Sequence, residues 1–348
     1  MMDIPPYPAS ASPSATLEAK LGFLGRPGAY PETPARVDAV ETHMSWVFLT
    51  DTHAWKLKKP VRYTYLDFAT PEARRLDCEE EVRLNRRLAA EVYLGVVPLV
   101  RDAAGQLHLG GAGEEVDWLV RMRRLPADRM LDHLLRSGAA TQPDLVRLAR
   151  RLAGFYAAAT AEPITPAAYR QSLAARIEDN LRELARPEYG LAPEPLERLA
   201  RLQLDFVHSH TEWFDRRVRQ GRIVEGHGDL RPEHVCLLAE PVVIDCLEFK
   251  REFRILDPAD ELGYLALECE RLHAPHAGRW LLDAYRDASD DDPPEALVHF
   301  YQSCRSVLRA KLALWHLHDD GRHPPGKWEA TARTYLELAL RHAGQASG

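Results

Sequence analysis

The 348-residue sequence predicts an α+β fold, in which a smaller β-rich part with one main helix is followed by a larger, mostly helical part. Two observations support this fold class. β-branched and aromatic residues alternate between positions 37 and 58 and again between 93 and 122, as is typical of strands. Beyond residue 140, apolar residues instead recur every three or four positions over long stretches, which indicates amphipathic helices.

In the N-terminal part, residues 1–32 are rich in Pro, Ser and Ala and predict a flexible leader, with a short helix near Leu17–Leu24. The β-rich part then begins at about residue 33. Two strands are expected between 37 and 58, followed by a helix from Pro71, capped by Thr70, to Leu88. Further strands are predicted at Tyr93–Val100, 106–109 and Val116–Met122.

The remainder of the chain is predicted to be mostly helical. Its helices follow from apolar residues at helical spacing, and they are expected over Asp144–Ala161, Pro166–Ala185, Pro195–Gln220, from Asp257-Pro258 onwards, and over Pro294–Leu317. Between the third and fourth of these helices lies a non-helical stretch, 223–249, which contains most of the polar residues that suggest chemistry.

Composition excludes several classes of protein. The net charge is −7 and both signs are interspersed, so no basic face for nucleic acid or a membrane surface is apparent. No apolar run approaches the roughly 20 residues of a membrane span. Five cysteines without CxxC spacing argue against a disulfide framework. We therefore expect a cytoplasmic protein without nucleic-acid or membrane partners, and the oligomeric state stays unknown.

The stretch 223–249 predicts a small hairpin that presents two carboxylates. Two short β-rich runs, around Val235 and Val242, are separated by a turn that contains Pro241. Asp229 precedes the hairpin and Asp245 follows its second strand, so both are expected on the same side of it. Such a pair suits phosphoryl transfer, in which a protein positions a hydroxyl and neutralises charge around a metal-bound triphosphate.

At these residues the sequence resembles a known family. His227-Gly228-Asp229, followed by Ile244-Asp245, looks like the catalytic loop and metal-binding aspartate of aminoglycoside-phosphotransferase-like kinases, and DLRPE is close to the catalytic loop of protein kinases. The segments VETHMSWVFLT, AWKLKKPV and HGDLRPEHVCL are also similar to those of uncharacterised bacterial kinase-like proteins. The resemblance implies a two-lobed protein-kinase-like fold, with a small β-rich N-lobe over 33–123 that has one main helix and a larger, mostly helical C-lobe over 124–348.

The resemblance also implies roles for residues of the hairpin. Asp229 would act on the acceptor hydroxyl, Arg231 would meet the γ-phosphate of ATP, and Asp245 would hold Mg²⁺ or Mn²⁺. The family has Asn as a second metal ligand five residues after the catalytic aspartate, and here that residue is His234. His234 is therefore either a metal ligand or a residue that braces the loop, in which case Asp245, with Glu248, holds the metal.

In the N-lobe the resemblance predicts the nucleotide site. The turn that would cover the phosphates, around Thr42 and Ser45, has no glycine, so hydroxyl groups would replace backbone amides there. Either Lys56 or Lys58 would bind phosphate, because both lie on one face of the strand. We expect one of them to pair with Glu81 on the predicted helix.

Two further expectations come from the resemblance. The strand that contains Val120 and Met122 resembles the hinge on which an adenine ring binds to backbone groups. Asp257 and Asp260 resemble acidic residues that brace the catalytic loop, with Arg254 as their salt partner.

Three functions follow from these residues. The first is an ATP-dependent kinase, a phosphotransferase that uses the hydroxyl of a small molecule as acceptor. The second is a nucleotide-binding pseudokinase or regulatory module, which the missing glycines and His234 favour. The third is a metal-dependent hydrolase with His227, Asp229, His234 and Asp245 as ligands. The sequence does not identify the acceptor, although Glu268, Glu270 and Asp287 are candidates to bind a cationic sugar.

Overall fold

The computed structural model describes residues 15–63, 66–318, 324 and 326–347. The chain divides into two compact units, Met1–Leu125 and Pro126–Gly348. None of the helices within the described ranges is both long enough and apolar enough to cross a membrane. The part of the expected flexible leader that precedes residue 15 lies outside the described residues.

Unit 1 is built around one six-stranded antiparallel sheet. Its elements are α1 (Leu17–Leu24), β1 (Asp38–Glu41), β2 (Ser45–Leu49), β3 (His53–Lys58), β4 (Arg62–Tyr63), β5 (Leu66–Asp67), α2 (Pro71–Ala89), β6 (Tyr93–Arg101), β7 (Leu107–Leu109) and β8 (Glu114–Arg123). The strand order is β1-β2-β3-β8-β6-β7, and β4 pairs with β5 outside this sheet. The run that begins at Val37 forms two strands where we expected one, because the chain turns between Thr42 and Ser45.

Residues 15–32 are part of the folded unit, which corrects the expected flexible leader. The helix predicted there is present as α1, with Thr16 as its N-cap. Leu24 and Tyr30 are buried in one core with Trp55 and Leu119 of the sheet. The Pro- and Ser-rich composition that predicted a leader is concentrated before residue 15, and the segment that follows supplies apolar side chains to the core.

A buried ion cluster attaches the helices of unit 1 to the sheet. Asp117 of β8 accepts hydrogen bonds from Lys20 Nζ of α1 at 2.7 Å and from Arg74 Nε of α2 at 2.7 Å. The side chains of all three residues are nearly inaccessible to solvent. Thr70 caps α2 as predicted, since its hydroxyl accepts from Ala73 N. The cap and the ion cluster together fix which side of α2 points into the unit.

Unit 2 is mostly helical. Its elements are α3 (Leu131–Arg136), α4 (Gln142–Ala158), α5 (Pro166–Leu184), α6 (Pro193–Ser209), α7 (Thr211–Arg219), β9 (Val224–Glu225), β10 (Val235–Cys236), β11 (Val242–Val243), β12 (Ile255–Leu256), α8 (Pro258–Arg271), α9 (Pro275–Ala288), α10 (Glu295–Trp315) and α11 (Lys327–Ser347). The predicted hairpin is present as the antiparallel pair β10–β11, and β9 pairs with β12.

One predicted helix of unit 2 is wrong in its extent. The helix expected over Pro195–Gln220 is two helices, α6 and α7, which are separated at His210 where the backbone leaves the helical region. The ring of His210 stacks on Phe206 and lies against Trp213, with ring centroids 4.3 Å apart in both pairs. Aromatic packing therefore stabilises a break that contains no glycine or proline.

The helices of unit 2 bury two apolar clusters. Tyr264 and Leu267 of α8 pack with Val307 and Leu314 of α10 and with Tyr335 of α11. A second cluster contains Tyr169, Phe214, Phe300, Tyr301 and Ala259. Helices α8 and α10 contribute to both clusters, and the same two helices supply Glu261 and Arg305, which bind the backbone of the loop that precedes β10.

Candidate active site

The backbone of the His227-Gly228-Asp229 loop is held by one buried carboxylate. Glu261 of α8 accepts hydrogen bonds from His227 N at 3.0 Å, from Gly228 N at 2.5 Å and from the Tyr156 hydroxyl at 2.7 Å. All three partners are donors, which matches the acceptor-only chemistry of a carboxylate. Burial raises the pKa of Glu261, and these hydrogen bonds act in the opposite direction. Glu261 therefore fixes the entry to the loop.

Two glycines make this close approach possible. A Cβ atom at Gly226 would lie 2.7 Å from Glu261 Oε2 and 2.8 Å from Leu256 Cδ1. Gly228 has a φ of +89°, a conformation that side chains with a Cβ rarely adopt. Larger residues would displace the loop from Glu261, so both glycines are required by the local backbone.

Asp229 presents an ionised carboxylate at the end of this loop. Its Oδ2 accepts from Arg231 Nε at 3.0 Å and its Oδ1 from the Tyr264 hydroxyl at 3.3 Å. Burial alone would raise the pKa of Asp229, but the positive charge of Arg231, with further contributions from His234 and Arg309, lowers it to about 2. A quarter of the side chain is exposed to solvent. The group is therefore charged at neutral pH and open to a ligand.

His234 lies between the two aspartates. Its Nδ1 is 2.8 Å from the carbonyl oxygen of Asp229, which can only accept, so Nδ1 carries a proton. Its Nε2 is 3.1 Å from Arg231 Nη2, which can only donate, so Nε2 presents its lone pair. The same Nε2 lies 3.5 Å from Asp245 Oδ2. The loop therefore orients the imidazole with its basic nitrogen toward Asp245.

Asp245 has a strained backbone and an accessible carboxylate. Its φ is +60°, which is uncommon for a residue other than glycine, and 46% of its side chain is exposed. Strained residues of this kind cluster at sites where a ligand is bound. The left-handed backbone conformation of Asp245 turns the chain after β11, and the carboxylate lies beside His234.

The donor set at His234 and Asp245 fits a divalent metal. One carboxylate and one imidazole nitrogen, 3.5 Å apart, are two of the ligand types that such ions use, and Mg²⁺ commonly binds through one or two carboxylates plus substrate phosphates. The carbonyl that orients His234 is the kind of outer partner that metal-binding histidines have. Arg231 Nη2 now contacts the Nε2 atom of His234, so the Arg231 side chain would have to move away before this nitrogen could bind a metal.

The structure does not assemble the four metal ligands expected for a hydrolase. Glu248, the other expected carboxylate ligand, accepts a hydrogen bond at its backbone carbonyl from Arg254 Nη1 at 3.0 Å. Within the described ranges no three His, Cys, Asp or Glu side chains form a metal-binding group. The four-ligand arrangement expected for a hydrolase is therefore wrong. The fourth expected ligand, His227, is buried, and its Nε2 is 2.9 Å from Ile244 O.

The acidic residues at the start of α8 have different partners from those expected. Asp260 binds Arg305, and Arg305 Nη1 in turn donates to Gly228 O at 3.2 Å, so Asp260 does brace the loop. Asp257 instead caps α8 and pairs with Arg217. Arg254, expected as the salt partner, pairs with Glu225 at 2.7 Å. Sequence analysis did not single out Glu261, because the backbone amides that it binds lie more than 30 residues earlier in the chain.

In unit 1 both candidate lysines bind Glu81. Lys56 Nζ is 2.9 Å from Glu81 Oε1, and Lys58 Nζ is 2.7 Å from Glu81 Oε2. Lys58 also contacts Asp77 at 2.6 Å and is almost fully buried. The expectation that only one lysine pairs with Glu81 is therefore wrong, because the two oxygens of one carboxylate match the two-residue repeat of a strand face. Asp77 was not predicted.

The turn expected to cover phosphates has no free hydroxyl donor. The Thr42 hydroxyl donates to Ser45 O at 3.0 Å and accepts from Ser45 N at 3.0 Å, which closes the turn between β1 and β2. Ser45 itself is buried. The proposal that these hydroxyls replace glycine amides therefore does not hold in this structure, because one is used by its own turn and the other is covered.

The hinge residues are also differently placed from what was expected. Val120 and Met122 lie inside β8, which is paired with β3 on one side and with β6 on the other. Their backbone groups belong to the sheet, and the pairing continues to Arg124 N, which donates to Thr52 O at 2.8 Å. A backbone contact to adenine at these two residues would require the sheet to open.

Comparison of the sequence with other proteins gives relatives but no matching family model. An uncharacterized protein of Mycobacterium tuberculosis is 33% identical over 316 residues, which cover 89% of this chain and 60% of that protein. An uncharacterized protein of Mycobacterium bovis matches to the same extent. The chain thus spans 60% of the length of the curated relatives it matches.

Comparison of the structure with solved structures identifies the fold. A choline/ethanolamine kinase family protein from Mesorhizobium loti aligns with a TM-score of 0.53 at 16% identity and covers 94% of this chain and 98% of its own. Choline kinase LicA from Streptococcus pneumoniae aligns with a TM-score of 0.56 at 12% identity and the same coverage of both chains. The chain therefore has the protein-kinase-like fold of these choline kinases, which confirms the fold expected from the HGD and ID motifs.

Proposed function

We propose that the protein is a phosphotransferase that moves the γ-phosphoryl group of ATP to a hydroxyl group of a small molecule. The observation that carries the proposal is the position of His234 between two accessible carboxylates, with Asp229 Oδ2 3.7 Å from Nδ1 and Asp245 Oδ2 3.5 Å from Nε2. One carboxylate serves the acceptor and the other serves the metal, which are the two tasks of this chemistry.

Asp229 is suited to orient the acceptor hydroxyl. Its low pKa makes it a weak base, so it does not remove the proton before the reaction starts. It accepts the hydrogen bond of the hydroxyl and takes the proton late, when the hydroxyl becomes acidic. At that stage the new O–P bond forms while the bond from the γ-phosphorus to the bridging oxygen breaks, and ADP leaves with that oxygen. The transition state of phosphoryl transfer is loose, so early deprotonation is not required.

Arg231 and the lysines are suited to bind phosphate. Arg231 is next to Asp229 and half-buried, and its guanidinium already contacts Asp229 Oδ2 and Glu233 Oε1. Lys56 is the more accessible of the two lysines on Glu81, so it is the better candidate for direct contact with phosphate. Lys58 is held between Glu81 and Asp77 and positions that carboxylate pair.

Asp245 and His234 would hold the metal. Mg²⁺ or Mn²⁺ would neutralise charge that develops on the phosphates, and His234 would supply a nitrogen where the family has an amide oxygen. A nitrogen ligand favours later divalent ions over Mg²⁺. The loop conformation that presents both residues depends on Glu261 and Arg305, not on the metal.

A pseudokinase that binds nucleotide without transfer is the second candidate. One observation favours it, namely the contact between Arg231 and the nitrogen of His234 that would bind metal. The position and charge of Asp229 have no function in such a protein, so we prefer the active enzyme.

The test is a thermal-shift screen of ATP and ADP with Mg²⁺ and Mn²⁺, followed by measurement of ATP consumption with sugars, hydroxy acids and amino alcohols as acceptors. The kinase proposal predicts metal-dependent stabilisation by ATP and acceptor-dependent ADP formation. Stabilisation without ADP formation on any acceptor would favour the pseudokinase, and absence of both would contradict nucleotide binding.

A further inference from the structure

Arg309 is a cation near Asp229 that the proposed mechanism does not use. It lies on α10 one helical turn after Arg305, so both side chains share a face of the helix. Arg305 is paired with Asp260. In the part of the chain that the structure describes, no ion pair is formed by Arg309, and its Nε is buried without a hydrogen-bond partner. A guanidinium in this state can still bind an anion.

The surroundings of Arg309 place it in the neighbourhood of the acceptor. The Tyr335 ring is 5.7 Å from its guanidinium carbon. One turn earlier on the same helix, the guanidinium carbon of Arg305 lies 5.0 Å from the ring of Tyr264, whose hydroxyl donates to Asp229 Oδ1. The charge of Arg309 also contributes to the low pKa of Asp229. A ligand that reaches Asp229 therefore experiences the positive charge of Arg309.

The carboxylates expected to bind a cationic acceptor are already used. Glu268 is fully buried, with Arg271 Nε at 2.7 Å from its Oε2 and the Tyr335 hydroxyl at 2.7 Å from its Oε1. Glu270 pairs with Arg341 at 2.8 Å and with His342 at 3.0 Å. These pairings leave neither group for a cationic sugar or an amino alcohol.

The third expected carboxylate belongs to a different part of unit 2. Asp287 lines a cavity between α4 and α9, together with Ala153 and Tyr285. Arg231, which contacts Asp229, and Arg271, which lies against the ring of Tyr335, have carboxylate partners in Glu233 and Glu268. Of these three arginines, Arg309 alone has no carboxylate partner within the described residues, so its positive charge is available to an anion.

We propose that the acceptor carries an anionic group, a carboxylate or a phosphate, which Arg309 binds while the acceptor hydroxyl lies against Asp229. This inference rests on the proposed function and adds the class of its substrate. Arginine binds planar carboxylates and phosphates through two parallel hydrogen bonds, which would fix the direction of the acceptor as well as its charge. An acceptor without the anionic group would leave the guanidinium unpaired, and this loss supplies specificity.

The experiment measures binding of four small probes that share a hydroxyl group: glycerate, glycerol 3-phosphate, glycerol and ethanolamine. Calorimetric titrations use the parent protein, Arg309→Met, Arg309→Lys and the control Arg333→Gln, which changes an exposed arginine on α11. Each titration is run without nucleotide and again with saturating Mg·ADP, so that anions bound at the nucleotide phosphates are recognised by their loss when Mg·ADP is present.

We expect glycerate or glycerol 3-phosphate to bind at least about tenfold more tightly than glycerol and ethanolamine in the presence of Mg·ADP. Loss of charged hydrogen bonds should weaken the preferred anion about 10- to 100-fold in Arg309→Met. Arg309→Lys should recover part of that loss, and Arg333→Gln should behave as the parent. Which of the two anions is preferred distinguishes a hydroxy acid from a phosphorylated acceptor.

The inference is overturned if Arg309→Met binds the preferred anion as well as the parent, if ethanolamine binds more tightly than both anions, or if neither anion binds better than glycerol. These outcomes leave the kinase proposal intact. The kinase proposal fails separately, if the parent protein shows no binding of Mg·ADP and forms no ADP from ATP. In that case the titrations without nucleotide still measure whether Arg309 binds the anion.

Discussion

At the scale of single residues, the site contains one aspartate with a strained backbone, Asp245, and one aspartate that stays charged although it is partly buried, Asp229. Asp245 holds a left-handed backbone conformation, which costs on the order of 1–3 kcal/mol at a residue other than glycine. Asp and Asn tolerate this conformation better than most residues. Asp229 is the electrostatic counterpart, because positive neighbours keep its carboxylate charged despite burial. Both features are stabilised by the surrounding fold and serve no packing role of their own.

His234→Asn tests whether the imidazole binds metal. If Nε2 is a ligand, the parent should prefer Mn²⁺ over Mg²⁺ in ATP consumption, and the variant should shift that preference toward Mg²⁺, since an amide oxygen is a harder ligand. Metal titrations of both proteins at fixed ATP measure the ratio. Superimposable preferences would show that His234 only braces the loop through Asp229 O.

Asp229 should also contribute a pH-dependent stability. Burial opposes ionisation, but Arg231 and its neighbours lower the pKa to about 2, below the value of about 3.9 in an unfolded chain. A lowered pKa adds stability above the unfolded pKa, and this contribution is lost as pH falls through the folded one. The free energy of unfolding of the parent minus that of Asp229→Asn should therefore shrink by about 2 kcal/mol between pH 6 and pH 2.

Urea unfolding of the two proteins at a series of pH values measures this difference. Most of the change should fall below pH 4, and high salt should reduce it only slightly because the pair is partly buried. A difference that stays constant down to the acid limit of folding would mean that Arg231 does not stabilise the charged form.

The two lysines on β3 should differ in what their loss does. Lys58→Met leaves the buried carboxylates of Asp77 and Glu81 with less positive charge, so it should lower the melting temperature as well as the affinity for ATP. Lys56→Met keeps the Lys58–Glu81 pair and should mainly raise the ATP requirement. Thermal unfolding and ATP titration of both variants, with Lys327→Met as an exposed control, separate these effects. Equal, small changes in melting temperature and in affinity for ATP would indicate that both lysines only form a solvated face of the strand, which would contradict a role in ATP binding.

At the scale of elements, α8 holds the catalytic loop at its N-terminal turn. Glu261 binds the amides of His227 and Gly228, and Asp260 reaches the Gly228 carbonyl through Arg305. Glu261 thus accepts from the amides of this short backbone segment, while Arg305, which Asp260 holds, donates to its carbonyl. The loop is fixed from one side by a single helix, and α10 contributes the arginines.

Glu261→Gln should therefore reduce transfer without touching a ligand. The amide group of glutamine presents a donor to backbone N–H groups that need acceptors, so at least one hydrogen bond is replaced by a repulsive contact. The turnover rate should fall about tenfold or more with little change in the ATP concentration needed for half-maximal rate. Steady-state kinetics against Glu197→Gln, an exposed control on α6, test this. If Glu261→Gln turns over as fast as the parent protein, the hydrogen bonds from Glu261 to the loop are not needed for transfer.

At the scale of the whole molecule, the strand and helix patterns predict most elements of both units. Sequence patterns predicted an element correctly where residues within it mark its type or its ends, as the N-cap Thr70 does for α2 and the alternating apolar runs do for the hairpin β10–β11. The patterns gave wrong predictions where contacts between residues distant in sequence determine the structure. Residues 15–32 looked like a leader because no local pattern shows that Leu24 and Tyr30 enter the core of the sheet.

The site shows the same division. Asp229, Arg231 and Asp245 are recognisable from motif spacing, because their neighbours in sequence are also their neighbours in space. Glu261 and Arg309 contribute through α8 and α10, about 30 and 80 residues further along the chain, and nothing adjacent to them in sequence marks their partners. Spacing also cannot show that both Lys56 and Lys58 bind one carboxylate, since that depends on the register between β3 and α2.

The central claim is that Asp229 serves the acceptor while Asp245 serves the metal-bound nucleotide. The most direct test compares Asp229→Asn and Asp245→Asn, which retain the shape of each side chain and the tolerance for a left-handed backbone at 245. Binding of Mg·ATP and Mn·ATP is measured by calorimetry, and ADP formation by a coupled assay. Asp229→Asn should bind metal–ATP as the parent does and lose about 10² to 10⁴ in rate, whereas Asp245→Asn should lose metal-dependent binding itself. Parental rates in Asp229→Asn, or unchanged metal–ATP binding in Asp245→Asn, would contradict the account.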